Sequence, residues 1–235
     1  MPDASLASFT LTRYALRGGL RGFAKMGGDR AALSRVPGLR FWRLLGTGRG
    51  QDLTLGADFL RWARFCVWSS RSDFERFEDS RFRRAERERA FESYTALLAP
   101  VRSRGKWGGM TLFDEVQNET LSGPLAVLTR ATIRPTRLAA FWRAVPESQR
   151  ALRGNPDLLA SVGIGEAPLL HQGTFSLWRS AAGMRAFAHR AEGHRAAMRR
   201  TREQGWYAEE LFARFAPLSS RGSWDERDPL AEFDL

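Results

Sequence analysis

The sequence has very little cysteine, lysine and histidine. Cys66 is the single cysteine among 235 residues, which excludes an intramolecular disulfide and a cysteine-based zinc site, and we expect it to be a buried structural thiol. Lys25 and Lys106 are the only lysines, so the net charge of +11 comes from arginine. We interpret this charge as a solvated basic surface, although such a surface can also attract anionic lipid or a ligand carboxylate.

Long apolar segments are also missing. No stretch approaches the roughly 20 residues of a transmembrane helix, and the first residues lack the pattern of a signal peptide. We therefore expect a cytoplasmic protein that can associate peripherally with a membrane. The hydrophobic fraction of 43% is that of a globular protein. Its aromatic residues lie in strand and helix patterns, unlike a basic stacking platform, so we expect no nucleic-acid partner.

Most catalytic motifs are absent as well. The sequence contains no HExxH zinc motif, no GxSxG nucleophile elbow, no phosphate loop and no dinucleotide-binding fingerprint. The sequence therefore offers few of the residue patterns by which side chains alone catalyse a reaction. If the chain is an enzyme, we expect it to use a bound cofactor.

Two parts of the sequence repeat one pattern of aromatic residues. Trp68 ends an apolar run and is followed by Phe74 and Phe77, while Trp178 and Phe187 repeat Trp68 and Phe77 110 positions later. Each copy predicts a strand that ends in tryptophan and leads through a polar turn into a helix. The common offset makes chance similarity the weaker explanation.

The repeat extends into the flanking segments. Strands are predicted at 8–15 and 125–133, helices at 20–33 and 135–142, strands ending at Gly-x-Gly at 39–48 and 158–165, and closing strands at 94–100 and 211–217. The order β-α-β-β-α-β in each half is ferredoxin-like.

We therefore predict an α+β protein whose duplicated ferredoxin-like modules form an α+β barrel. The modules are residues 1–104 and 124–217. A glycine-rich linker, 105–123, joins them, and residues 218–235 form a C-terminal arm anchored by Trp224.

Among the three histidines, His194 is the best-placed metal ligand. It follows Gly193 and opens a predicted helix, 194–204, whose N-terminus favours a neutral imidazole that can bind metal. The position 110 residues earlier is Arg84, so the module does not need a histidine there. The alternative interpretation is a core or capping histidine.

The surroundings of His194 are apolar and aromatic. Met198 shares its predicted helix face, Phe187 lies just upstream and Trp206 just downstream. Such surroundings suit a cofactor bound in a dry pocket. His171 opens a strand that shares a face with apolar residues and is the second choice of ligand, whereas His189 points away from the apolar face of its helix.

Several blocks of the sequence are similar to one known family. They are GFAKM at 22–26, LRFWRLLGTG at 39–48, RATIR at 130–134, SVGIGE at 161–166, TFSLW at 174–178, HRAAM at 194–198 and GWYAEELFARF at 205–215. The chain resembles the spheroidene monooxygenase family from Thr10 to Pro217.

The resemblance implies a bacterial enzyme of carotenoid biosynthesis that inserts oxygen into an acyclic carotenoid. It also implies haem b, with His194 as axial ligand and the three residues around it as cofactor contacts. Arg130, Arg134 and Arg137 are candidates for binding the haem propionates. The predicted architecture resembles the dimeric α+β barrels of chlorite dismutase and aldoxime dehydratase, which hold haem by a histidine in one module.

The leading hypothesis is a haem-dependent monooxygenase, monomeric or homodimeric, that takes electrons from a ferredoxin-type donor. Its substrate would be a carotenoid or a small organic intermediate of another pathway. A second hypothesis keeps haem but changes the chemistry to aldoxime dehydration, peroxidase activity or nitrogen-oxide chemistry. A third is a haem-binding or apolar-ligand-binding protein without turnover.

Overall fold

The computed structural model describes residues 5–15, 29–49, 56–113, 123–152, 154–167, 169–190 and 204–235. The strands are β1 (Leu6–Tyr14), β2 (Leu39–Gly48), β3 (Ala57–Trp68), β4 (Ala90–Gly105), β5 (Leu125–Ile133), β6 (Leu158–Ala167), β7 (His171–Trp178) and β8 (Tyr207–Gly222). The helices are α1 (Arg71–Glu78), α2 (Arg81–Arg89), α3 (Leu138–Leu152) and α4 (Ala181–Arg190). Among the described residues, no helix is both long and apolar enough to cross a membrane.

The chain divides into two compact units. Unit 1 lies within Met1–Thr47, Asp58–Pro100 and Pro217–Leu235, and unit 2 within Gly48–Ala57 and Val101–Ala216. The strand order is β2-β3-β1-β4 in unit 1 and β6-β7-β5-β8 in unit 2. In unit 1, β1 is antiparallel to β3 and β4, and in unit 2, β5 is antiparallel to β7 and β8. The predicted α+β class is confirmed, whereas duplication of a ferredoxin-like module stays a prediction.

The helices predicted at 135–142 and 20–33 agree with the structure to different extents. The helix predicted at 135–142 is too short, since a 3₁₀ turn, Pro135–Arg137, leads into α3, which continues to Leu152. Phe141 on α3 packs against Ile133 and Trp206, a tertiary contact that sequence periodicity does not show. Of the helix predicted at 20–33, residues 29–33 are described and are helical.

A buried tryptophan organises the helix-facing side of each sheet. In unit 1, Trp68 stacks near Phe77 of α1 with ring centroids 5.1 Å apart, and its Nε1 donates to Ser8 Oγ at 2.9 Å. In unit 2, Trp178 lies 5.4 Å from the Phe187 ring of α4. The predicted packing of both helices through apolar residues three apart is therefore confirmed.

Serine side chains start the two helices that follow these tryptophans. Ser70 accepts a hydrogen bond from the backbone N–H of Asp73 at 3.2 Å, and Ser180 accepts one from Gly183 at 3.0 Å. Each hydroxyl satisfies one of the N–H groups that the first helical turn leaves unpaired.

Charged side chains fill the space above the centre of the unit 1 sheet. Arg64 on β3 forms a bidentate pair with Glu86 of α2 at 3.0 and 3.1 Å. Arg83 also donates to Glu86, and its Nε donates to Glu78 Oε1 at 2.6 Å. All four side chains are buried. Burial alone would lower the pKa of the Arg64 guanidinium, but Glu86 outweighs burial and raises it.

Cys66 lies on the same strand face as Arg64. It is buried, as predicted, and burial raises the pKa of its thiol to about 12. The thiol therefore stays protonated at neutral pH and is a packing group.

We expect Glu86→Gln to destabilise the protein by about 3–5 kcal/mol, because it leaves two buried guanidiniums without their shared carboxylate. Equilibrium unfolding in urea measures this loss. Glu75→Gln is the matched control on α1, since Glu75 is exposed and lies 4.0 Å from exposed Arg71. Equal midpoints for the two variants would contradict a role of the Glu86 network in stability.

The predicted linker and the predicted arm both begin inside a strand, because β4 runs to Gly105 and β8 to Gly222. Each strand then turns around a buried tryptophan: Trp107 bridges to Met110, and Trp224 bridges to Arg227. Gly105 has a φ of +88°, and a Cβ there would lie 2.1 Å from a backbone oxygen, so the turn requires glycine. The same holds for Gly222, with a φ of +87° and a Cβ position 2.0 Å from a backbone oxygen.

A carboxylate fastens the Trp107 turn to the unit 2 sheet. Glu209 on β8 accepts hydrogen bonds from the backbone N–H groups of Gly108 at 2.9 Å and Gly109 at 2.6 Å, and from the Arg130 side chain. Burial alone would raise the pKa of Glu209, but these donors outweigh it and lower the pKa. The turn is therefore held by an ionised side chain.

A lowered folded-state pKa stabilises the fold at pH values above the unfolded pKa of about 4.3, and this contribution is lost as pH falls through the folded pKa. We expect Glu209→Gln to cost about 1–2 kcal/mol at neutral pH and progressively less below about pH 4. Urea unfolding at a series of pH values measures this difference. Glu210→Gln, at the exposed neighbouring position, is the control. A pH-independent loss in Glu209→Gln would contradict the ionised role of Glu209.

Candidate functional site

The unit 1 sheet carries a central row of three side chains on its helix-facing side. Thr10 pairs with Arg64 on β3 and with Thr95 on β4, and all three are at most 5% exposed. The ion pairs of Arg64 with Glu86 lie above this row, and Thr95 accepts a hydrogen bond from Arg83 at 3.0 Å. Protein side chains therefore close the central row of unit 1.

The unit 2 sheet carries the corresponding row, and this one is open. Thr129 pairs with Thr174 on β7 and with Phe212 on β8. All three side chains are half-buried, whereas Leu128 and Arg130, the neighbours of Thr129 on β5, are buried. In the middle of a sheet, such a row of accessible side chains indicates space between sheet and helices.

Sequence differences between the units explain this space. At three helix-facing positions unit 2 has a much smaller residue than unit 1. At the offset of 110 residues, Thr174 of unit 2 replaces Arg64 of unit 1. At the offset of 119 residues, which relates β2 to β6, Gly163 replaces Leu44 and Ser161 replaces Trp42. Gly163 pairs with Thr174, and Ser161 with Ser176, so both lie on the face of the open row. We call Thr129, Ser161, Gly163 and Thr174 the open floor.

The open floor presents hydroxyl groups among apolar surroundings. Thr129 Oγ1 and Thr174 Oγ1 lie 2.7 Å apart and share one hydrogen bond. Ser161 Oγ is buried and, among the described residues, has no hydrogen-bond partner, and the same is true of Trp142 Nε1 on α3. Buried polar atoms without partners are costly in native proteins, so the Ser161 hydroxyl is a group that a ligand on the open floor could satisfy.

Aromatic side chains surround this face of the sheet in two groups. Phe187, a predicted cofactor contact, packs on Trp178 in the cluster that also includes Phe212. Trp206, the other described contact, is buried in a separate cluster with Phe141, and its Nε1 donates to Gln204 Oε1 at 2.8 Å. The structure therefore brings Phe187, but not Trp206, into one cluster with a residue of the open row.

The histidines are only partly described. His194 and Met198 lie outside the described residues, as does the predicted helix 194–204 apart from Gln204. His189 belongs to α4, but its side chain is not described. His171 pairs with Thr132 on β5, and this register places it on the sheet face opposite Thr129. The open floor therefore does not include the second-choice ligand.

The arginines proposed for propionates have different positions. Arg130 is buried on the opposite sheet face, where it donates to Glu209, lies 3.8 Å from Glu166 and stacks 5.8 Å from the Trp107 ring. Its charge is paired with the carboxylates of Glu209 and Glu166 on the face opposite the open floor, and its contact with a propionate stays a prediction. Arg134 and Arg137 are exposed.

The open floor fits a flat, mostly apolar cofactor better than a bare metal ion. Its small side chains leave space, and its unpartnered hydroxyl needs a ligand. Within the described ranges no three His, Cys, Asp or Glu side chains are grouped so that they could hold a metal. The open floor itself contains no histidine, His171 lies on the opposite sheet face, and His194 lies outside the described residues.

Sequence analysis missed the open floor, although its signal is in the repeat. The comparison of Arg84 with His194 uses the 110-residue offset. The same offset relates Arg64 to Thr174, and a loss of that much side-chain volume at a core position is a sign of a pocket.

The fold is similar to that of aldoxime dehydratase. One structure of aldoxime dehydratase matches 91% of this chain and 81% of its own, with a TM-score of 0.62 and 12% identity. A second, the aldoxime dehydratase OxdRE in complex with butyraldoxime, matches 91% of this chain and 79% of its own, with a TM-score of 0.62 and 10% identity. At this level of identity the similarity shows the fold alone.

Sequence comparison goes further. No family model matches the chain. Spheroidene monooxygenase of Rhodobacter capsulatus is 37% identical over 206 residues, which are 86% of each chain. The enzyme of Cereibacter sphaeroides is 32% identical over 99% of this chain and 72% of its own, and that of Rubrivivax gelatinosus is 36% identical over 81% and 73%. The chain therefore belongs to the spheroidene monooxygenase family, and it is a monooxygenase.

Proposed function

We propose that the chain is a haem-dependent monooxygenase that oxidises an apolar, carotenoid-like substrate over the open floor of unit 2. The observation that carries this proposal is the accessible row of Thr174, Thr129 and Phe212, where unit 1 has a closed row. Family membership supports the reaction class, and the names of the relatives support a carotenoid-like substrate.

Residues on different sides of the pocket would hold the cofactor. His194 is the proposed iron ligand, with Met198, Phe187 and Trp206 as further proposed cofactor contacts. Gly163 and the hydroxyls of the open floor would form the opposite wall, since small side chains leave room for a flat ring. Haem iron, when bound, supplies the activation of dioxygen that side chains cannot provide.

The apolar residues around the floor would keep water out of the reaction. Leu125, Val127 and Met184 are buried beside Trp178, and Phe212 packs against this cluster. A water-poor pocket favours an apolar substrate and limits side reactions of activated oxygen. Electrons would come from an external donor of the ferredoxin type.

Other parts of the hypothesis remain proposals with indirect support. Peripheral membrane contact is supported by the net charge of +11 and by an apolar substrate class. A monomer and a homodimer are both compatible with the proposed site.

The absorption spectrum of the purified protein with added haem tests the cofactor and its ligand. We expect a Soret band that is lost in His194→Ala, because the iron loses its axial nitrogen, and kept in His171→Ala. We also expect a weakened band in Gly163→Leu, which introduces on the open floor the side chain that unit 1 has at Leu44.

Circular dichroism of each variant provides the folding control. A Soret band that is the same in His194→Ala and wild type would contradict the ligand assignment. Unchanged haem affinity in Gly163→Leu would contradict the location on the open floor. Absence of haem binding by the wild type would overturn haem dependence altogether.

A second candidate is haem chemistry without an electron donor, such as dehydration of an aldoxime. The two candidates differ in their need for reductant. Dehydration of an aldoxime removes water and requires no net electrons, whereas a monooxygenase consumes dioxygen and two electrons per turnover. Turnover of butyraldoxime without reductant or dioxygen would favour dehydration, and oxygen uptake that depends on a reductant would favour oxygenation.

A further inference from the structure

The hydroxyl pair at the centre of the open floor has one hydrogen more than its own bond uses. Thr129 Oγ1 and Thr174 Oγ1 lie 2.7 Å apart, and either can donate to the other. Two hydroxyls carry two hydrogens, of which one lies in this bond. Within the part of the chain that the structure describes, neither hydroxyl has another partner, so one O–H is free to donate.

A threonine pair in unit 1 provides a comparison. Thr10 Oγ1 and Thr95 Oγ1 are 3.2 Å apart across β1 and β4, where unit 2 has Thr129 and Phe212, but both residues are buried, and Arg83 donates to Thr95. The threonines of unit 2 are half-buried on an accessible face. Only the unit 2 pair is therefore placed to meet a ligand.

The surroundings of the pair restrict what that ligand can be. Gly163 pairs with Thr174 on β6 and offers no side chain, and Phe212 lies beside Thr129 on β8. A free hydroxyl donor, with the Ser161 hydroxyl on the same floor, suits a ligand that carries an oxygen acceptor. The guanidiniums of Arg104 and Arg214 lie 5.5 and 5.2 Å from the Phe212 ring centroid, so positive charge borders one end of this row.

We propose that the Thr129–Thr174 pair recognises the oxygen atom that the reaction places on the substrate. This inference rests on the proposed function. A monooxygenase transfers one atom of dioxygen to a C–H bond and reduces the other atom to water with two electrons from the donor and two protons from solvent, so its product has a hydroxyl where the substrate has a hydrogen. The pair donates to that hydroxyl oxygen and makes the site bind the oxygenated molecule more tightly than its hydrocarbon parent.

The pair is thus a positioning group: it holds the newly oxygenated carbon in the pocket after the first turnover. The pair does not need to touch the donor of electrons or exchange a proton with the substrate.

Binding of two polyenes that differ by one hydroxyl tests this proposal. The probes are all-trans-retinol and deoxyretinol, in which a methyl replaces the hydroxymethyl group, and binding is followed by quenching of tryptophan fluorescence. We expect the wild type to bind retinol about three- to tenfold more tightly, which is the effect of one hydrogen bond. In Thr129→Val/Thr174→Val the ratio of the two affinities should fall to about one.

Replacing both threonines with valine keeps their shape and leaves neither hydroxyl without its partner, so the variant should fold. The matched control is Thr10→Val/Thr132→Val, which also removes two strand hydroxyls, one in the closed row of unit 1 and one on the opposite face of β5. This control should keep the preference for retinol.

Equal affinity ratios in wild type and Thr129→Val/Thr174→Val would overturn the inference, as would loss of the preference in the control variant. The absorption spectrum of each sample is recorded in the same experiment. A wild type that shows a Soret band but no dependence on the threonines fails this inference alone. A wild type without a Soret band fails the proposed haem dependence, whatever the probes show.

Discussion

The space between a sheet and its helices has to be filled, because protein interiors are packed as densely as organic crystals. Unit 1 fills it with the bidentate pair of Arg64 and Glu86 and with Arg83, all of them buried. These charges are tolerated because each guanidinium meets a carboxylate, which also raises the pKa of Arg64 against the effect of burial. The closed centre of unit 1 depends on this pairing.

Unit 2 meets the same constraint in a different way. With Thr174, Gly163 and Ser161 at the positions of Arg64, Leu44 and Trp42, it has much less side-chain volume above the middle of its sheet. The half-buried state of Thr129 and the unpartnered hydroxyl of Ser161 are the two consequences visible in the structure. The proposed site therefore lies in unit 2, whereas unit 1 has buried ion pairs at the equivalent place.

Much of this organisation could be predicted from the sequence. The offset between Trp68 and Trp178 indicates two strand-turn-helix segments, and the strands at 39–48 and 125–133 have the predicted bounds. Hydrophobic periodicity shows which face of a helix or strand is apolar, and the predictions of these segments depend on that periodicity. It does not report partners across the fold, so the length of α3 and the burial of Arg130 against Glu209 were not predictable.

The candidate site was less predictable than the fold for the same physical reason. A histidine is easily recognised in a sequence as a candidate ligand because its chemistry is distinctive. A pocket, in contrast, forms where side chains are too small to fill the space. Nothing about Thr174 and Gly163 alone marks them as functional residues. They become informative only when they are compared with Arg64 and Leu44, the larger residues at the equivalent positions of unit 1. Comparing side-chain volumes at matched positions of a repeat would have found the open floor before the structure.

An open floor costs stability in the empty protein, because side chains that border a space lose the contacts that close packing would give them. A ligand that fills the space restores those contacts, and its stabilisation of the folded state increases logarithmically once the free ligand concentration exceeds the Kd. In unit 1 the equivalent contacts are internal, between Arg64, Arg83 and Glu86, and do not depend on any ligand. If the proposed cofactor binds over the open floor, its binding would stabilise unit 2. Such a difference between the units would be required if one module served as a scaffold and the other held a cofactor.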